Sequence, residues 1–201
     1  MRDKQREETR RRLYHAALEV FARDGVDSCR IEDIAQRAEV SRAAFYFHFP
    51  TKEDVLLQLL LEAEQPTVEA LEALPPDASL DTYFKTLVEG FTASWEGTER
   101  SKLLIDVFAT ALRRLRTIAD DRSAEPMRAV VAVRFARAAK EGELSQAIPA
   151  EVLGDFFLLN CLAAMTAWVM QPAPAALSLS DMLYGVVALF MNGARPPPES
   201  P

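Results

Sequence analysis

The sequence predicts an all-α protein of about nine helices, with a unit of three short helices followed by a longer helical bundle. Three observations carry that expectation. Only seven of the 201 residues are glycine, and glycine marks the hairpin turns that a sheet needs. Ala, Leu, Glu and Arg are abundant, and these residues propagate helices at little cost. Apolar residues recur at three- and four-residue spacing, and no segment reads convincingly as a strand.

The first helix follows from Leu13, Ala16, Ala17, Val20 and Phe21, which share one helical face. Gly25 ends it in the manner of a C′ residue. Ile31, Ile34, Ala35 and Ala38 define a second helix of about two turns, with Asp27 or Ser28 as its cap. Ser41 caps a third helix over Arg42 to about His48, and Val40 and Phe45 occupy the two positions of a hydrophobic staple. Pro50 stops it. Thr51 then caps a fourth helix over 51–73, with Asp54 as the capping-box acid. "LPPDAS" at 74–79 breaks that helix. Further helices are expected at roughly 80–95, 100–119, 125–141, 150–170 and 179–193. The tail "RPPPESP" is proline-rich and expected to fray.

Composition bounds the class. The chain is 49% apolar and 26% charged, ordinary for a soluble globular protein. Cys29 and Cys161 lie far apart, make no metal-like pair and define no disulfide, so a reduced, cytoplasmic compartment is expected. The N-terminal "MRDKQREETRRR" is too charged for a signal peptide. Val152 to Met170 is apolar, but Asp155 and Asn160 leave it short of the ~20 clean residues of a membrane span. Net charge is −7. It divides unevenly: residues 1–52 carry 11 Lys/Arg against 9 Asp/Glu, and the remaining 149 carry 12 against 21. Such asymmetry suggests two modules with different partners.

"AFYFHF" is the densest chemical feature. At 100° per residue, Phe45 and Phe49 fall on one side of the third helix and belong to a core with Leu13, Phe21 and Ile34. Ala43 and Phe47 point the opposite way, and Tyr46 and His48 flank Phe47. One face is therefore buried, and the other is small or flat with polar flanks. That layout suits a helix in the DNA major groove, where central side chains reach base edges and flanking donors reach phosphates. The short turn Glu39-Val40-Ser41 gives helix-turn-helix spacing. Lys52, in the first turn of the fourth helix, is placed to hold a phosphate together with free backbone N–H groups.

These residues carry a family likeness. "IAQRAEVSRAAFYFHFPTKEDVLLQLL" resembles the N-terminal domain of the TetR family of transcriptional repressors, through Ile34, Ala35, Ala38, Val40, Ser41, Tyr46, His48, Phe49 and Lys52, with Ala17, Phe21 and Gly25 upstream. The resemblance covers about residues 9–60. It implies that Tyr46, His48 and Lys52 contact the DNA backbone, and that residues from about 66 onward bind a small molecule and dimerise. The departures are local. Glu39 replaces a usual glycine, so it either adopts a positive φ or the turn differs. Ala43 and Ala44 replace glycine and threonine, removing a phosphate-binding hydroxyl. Cys29 and Arg30 stand where a capping threonine or serine is common, which leaves Arg30 as a candidate replacement contact. Glu32 replaces a frequent basic residue.

The expected DNA-binding set is thus Arg30, Ser41, Arg42, Ala43, Tyr46, Phe47, His48 and Lys52, within a domain over residues 1–52. A ligand-binding and dimerisation domain is expected over 53–195, ahead of the 196–201 tail. Its candidate pocket residues are Phe91, Trp95, Phe108, Phe135, Asn160, Met165 and Trp168, each with ordinary core as the alternative. Asn160 stands out as an amide among Phe157, Leu159 and Leu162 that needs a partner. Helices 150–170 and 179–193 are apolar over more girth than one buried face needs. They are expected to pair with a second copy as a four-helix interface, which a charge at Phe157 or Leu183 should weaken. Arg113, Arg114 and Arg116 read as a solvated face. The function expected is a ligand-responsive regulator, a repressor that binds palindromic operator DNA as a homodimer and is released by a hydrophobic or amphipathic small molecule. The alternative is a helical protein of this type with lost or weak DNA binding that acts through ligand or protein contacts. No catalytic set, metal site or cofactor is expected, since neither metal spacing, a phosphate loop nor a nucleophile–base pair occurs.

Overall fold

The computed structural model describes residues 2–96, 99–115, 125–172 and 176–194. Among them every regular element is a helix: α1 (Arg2–Asp24), α2 (Ile31–Arg37), α3 (Arg42–His48), α4 (Lys52–Glu72), α5 (Leu80–Trp95), a short 3-10 helix (Glu99–Leu103), α6 (Leu104–Leu115), α7 (Pro126–Lys140), α8 (Ala150–Val169) and α9 (Leu179–Ala194). The expected helix over 100–119 is a 3-10 turn running into α6, and its last residues lie outside the described ones, as does the proline-rich tail.

The helix starts are chemical. Ser41 Oγ accepts the Ala44 N–H at 3.2 Å. Thr51 and Asp54 form a reciprocal capping box, Thr51 N–H to Asp54 Oδ2 at 2.9 Å and Asp54 N–H to Thr51 Oγ1 at 3.3 Å. The cap of α2 departs from expectation: it is Arg30, extended and without a side-chain cap bond, not Asp27 or Ser28. Gly25 takes φ +80 after α1. Glu39 takes φ 54 in the turn between α2 and α3, so the turn keeps a left-handed residue without its glycine.

Leu13, Phe21, Ile34, Phe45 and Phe49 are all buried and close a small core under α1–α3. From there α4 is the bridge, because it packs on α1 and also on α5, α6 and α7. Its approach to α5 is tight at Gly90, where a β-carbon would stand 2.4 Å from Thr67 Oγ1. Beyond α4, α7 packs on α8, α8 on α9 and α5 on α9. Phe84, Phe135, Phe157 and Phe190 form the aromatic centre of this bundle, with centroids 5.1–6.1 Å apart.

Two expectations about α8 and α9 need correction. By length and composition it is apolar enough to cross a membrane, because Asp155 and Asn160 do not offset twenty otherwise apolar-rich residues. And Phe157 and Leu183, expected at an interface between copies, are buried within the protomer's own core.

Candidate functional site

The helix-turn-helix presents one well-defined face. On α3, Phe45 and Phe49 are fully buried, while Phe47 is 65% and Tyr46 44% exposed. Arg42 and Ala43 are exposed in the first turn, and Ser41 precedes them in the open. Ser41 Oγ accepts one backbone N–H, which leaves its hydroxyl proton free to donate. Arg30 is exposed at the start of α2. Ser41 and the α3 side chains are therefore brought together on one open face, as the periodicity predicts.

Their neighbours are charged. Arg42 Nη1 lies 3.0 Å from Glu32 Oε1 in an exposed ion pair, and its guanidinium carbon sits 5.6 Å from the Tyr46 ring centroid. The Arg6 guanidinium, from α1, stands 5.0 Å from the Phe47 centroid. His48 is half-buried. Partial burial first, then the Arg10 and Arg6 charges, hold its imidazole below the usual histidine value, against an opposing pull from Glu7. That direction favours the neutral ring, which offers one N–H.

Lys52, the expected phosphate contact, is engaged within the chain. Its ammonium turns inward and donates to the carbonyls of Val26, Asp27 and Cys29 at 2.7, 3.3 and 3.2 Å. Arg10 was missed from the sequence. Its Nη1 donates to the His48 carbonyl and its Nη2 to Gln58 Oε1, both at 2.7 Å, and its guanidinium lies 4.4 Å from the Phe49 centroid. The signal was present, since Arg6, Arg10, Leu13 and Ala17 recur at four-, three- and four-residue steps and so share one face of α1.

Most of the ligand-domain candidates lie inside the bundle. Phe91, Trp95, Phe108, Phe135 and Met165 are buried and Trp168 is half-buried. Trp95 and Phe108 lie tilted against each other, 5.9 Å between centroids, whereas Phe135 belongs to the phenylalanine centre. Asn160 is a correction: it is exposed, and its Nδ2 donates to the Phe156 carbonyl one turn back at 2.7 Å. Its amide thus finds its partner locally on the outer face of α8. Arg113 is exposed and donates to Thr110 Oγ1 at 3.1 Å; the side chains of Arg114 and Arg116 lie outside the described residues.

That outer face continues onto α9. Phe156, Leu159, Asn160, Ala163, Ala167 and Met170 recur at helical spacing and are exposed. So do Tyr184, Gly185, Ala188, Leu189 and Asn192, with Leu189 78% exposed. Small residues flatten both stripes, and large apolar ones flank them.

Residues 13–59 match the family model described as "Bacterial regulatory proteins, tetR family". Over 60 residues the chain is 45% identical to the HTH-type transcriptional regulator SrpR of Pseudomonas putida, a match spanning 30% of this chain and 28% of that protein. The chain thus matches well under half of that relative's length. Across nearly the whole chain it is similar to the crystal structure of Thermus thermophilus FadR, described as a TetR family transcriptional repressor in complex with lauroyl-CoA. There identity is 26%, coverage 96% of this chain and 99% of the other, and TM-score 0.64. Bacillus subtilis FadR in complex with stearoyl-CoA has the same fold at 18% identity, covering 92% and 98%, with TM-score 0.65.

Proposed function

We infer that this chain, whose residues 13–59 match the TetR-family model, is a transcriptional regulator of that type and acts as a homodimeric, ligand-released repressor of palindromic operator DNA. The observation that carries this reading is the division of α3, with Phe45 and Phe49 sealed inside and Tyr46, Phe47 and Arg42 outside. A helix whose open face is flat and flanked by donors matches a major groove. In this reading Arg42, Ala43 and Phe47 face bases, and Arg30, Ser41, Tyr46 and His48 position the protein on phosphates. Residues 1–52 form the DNA-binding domain, and 53–195 the ligand and dimer domain.

The flat stripes of α8 and α9 support a four-helix dimer interface. They also favour α8 as an interface helix over a membrane span, since its other side, at Leu153, Gly154, Phe157, Cys161 and Met165, is packed into the bundle. The chain then works in the cytoplasm, where its DNA partner is. The buried aromatic supply around Trp95 and Phe108, and the acyl-CoA complexes of two proteins of similar fold, support a hydrophobic or amphipathic ligand. Such a ligand would favour the dimer geometry whose recognition helices no longer match two half-sites.

The Glu32–Arg42 ion pair favours a second reading, in which DNA binding is weakened, because Arg42 must leave its partner before it can reach a base. Selection from a random duplex pool by the full-length chain separates the two. Enrichment of a palindrome supports the repressor reading, and no enrichment supports the second.

A further inference from the structure

The open face of α3 has few side chains on which specificity can rest. Ala43 and Ala44 are too short to read a base edge, and Phe45 is buried. Arg42 therefore supplies much of the polar reach of that face, and a long exposed side chain recognises one base only if its direction is fixed beforehand. Two neighbours fix it. Glu32, in the first turn of α2, brings its Oε1 to 3.0 Å from Arg42 Nη1. Tyr46, four residues further along α3, presents its ring centroid 5.6 Å from the guanidinium carbon. The acid itself is out of keeping with a DNA-facing surface, since a free carboxylate beside α3 would repel phosphates. Paired with Arg42, it adds direction without adding net charge.

We propose that Glu32 is a positioning residue for base recognition, a buttress that holds Arg42 through Nη1 and turns the other edge of the guanidinium toward a guanine. That edge, Nε and Nη2, carries two parallel donors, which is the geometry that matches guanine O6 and N7. The ion pair is then kept on DNA, and Glu32 touches no base itself. The proposal rests on the DNA-binding reading and deepens it. It opposes the second reading, in which Arg42 leaves Glu32 before reaching a base. The side chains of Arg42 and Glu32 are 61% and 46% exposed, so their pairing contributes little to folding, and its removal bears on recognition alone.

The test uses the full chain as wild type, Glu32→Ala, Arg42→Ala and the double variant, each selecting from a random duplex pool and each melted without DNA. All four should melt alike. Glu32→Ala should lose preference at the same base pair of each half-site as Arg42→Ala, by about five-fold or more, with the other positions kept. The double variant should lose no more there than Arg42→Ala alone, because Glu32 acts at that position through Arg42. A Glu32→Ala chain that keeps the preference and binds the palindrome more tightly would make Glu32 a brake and overturn the proposal. A loss at a different base pair would overturn it too, since Glu32 would then touch a base itself. Should Glu32→Ala fail to fold, Glu32→Ser, which also ends the pair, is read in the same way. Enrichment of no palindrome by the wild type fails the DNA-binding reading and the buttress with it, whereas an identical palindrome from wild type and Glu32→Ala fails the buttress alone.

Discussion

Glu39 holds its turn at φ 54, where a β-carbon crowds the backbone at a cost of about 1 kcal/mol relative to glycine. Glu39→Gly should raise the unfolding free energy by about 0.5–1 kcal/mol, read as a higher urea midpoint at constant slope. A midpoint that stays put or drops would show that the turn is not strained. Glu64 is a second residue whose chemistry runs against its place. It sits half-buried on α4, and burial first, then the Glu125 charge, push its carboxyl up to about 8. The folded chain therefore keeps a proton that the unfolded chain releases near an ordinary glutamate value of about 4.3. The stabilisation from that proton is full below the unfolded value and is lost as pH rises toward 8. Glu64→Gln should leave stability at pH 4 nearly unchanged and raise the melting midpoint at pH 7 by roughly 2–8 °C. A variant that melts with the wild-type pH slope would place that carboxyl in water.

At the scale of elements, caps and periodicity were legible and acceptors were not. Ser41 and the Thr51–Asp54 pair cap as their spacing predicts, because a cap is decided within four residues of chain. The buried face of α3 was legible for the same reason. Lys52 was not. Helical spacing says which way a long side chain leaves its helix, but the three carbonyls it meets lie 23–26 residues away. Asn160 fails in the other direction: α8 is apolar on both sides, so its period does not say which side is the core. The exposures resolve this, and they relocate the interface test. Leu189→Glu should weaken self-association at least about ten-fold while the protomer melts normally, since Leu189 is 78% exposed. Phe157→Glu should instead unfold the protomer, because Phe157 packs on Phe84, Phe135 and Phe190. Sedimentation alongside thermal melting separates these outcomes. A Leu189→Glu chain that sediments like wild type would put the interface elsewhere.

For the whole molecule, α4 is the shared element. It packs on α1 at one end and against α5, α6 and α7 along the rest. A ligand that shifted the bundle would reach α1 through α4 and through the 3-10 helix, both of which pack on it, and two copies joined through α8 and α9 would set the spacing of two α3 helices. The central claim is that this chain reads DNA as a dimer through the open face of α3. Its most direct test is selection from a random duplex pool by the full-length wild type and by Arg42→Ala in parallel. The wild type should enrich a palindrome whose half-site centres lie about one helical turn or slightly more apart, and Arg42→Ala should enrich the same palindrome with one base pair per half-site relaxed. Enrichment of no palindrome by the wild type, or of an identical one by Arg42→Ala with the relaxation absent, would contradict it.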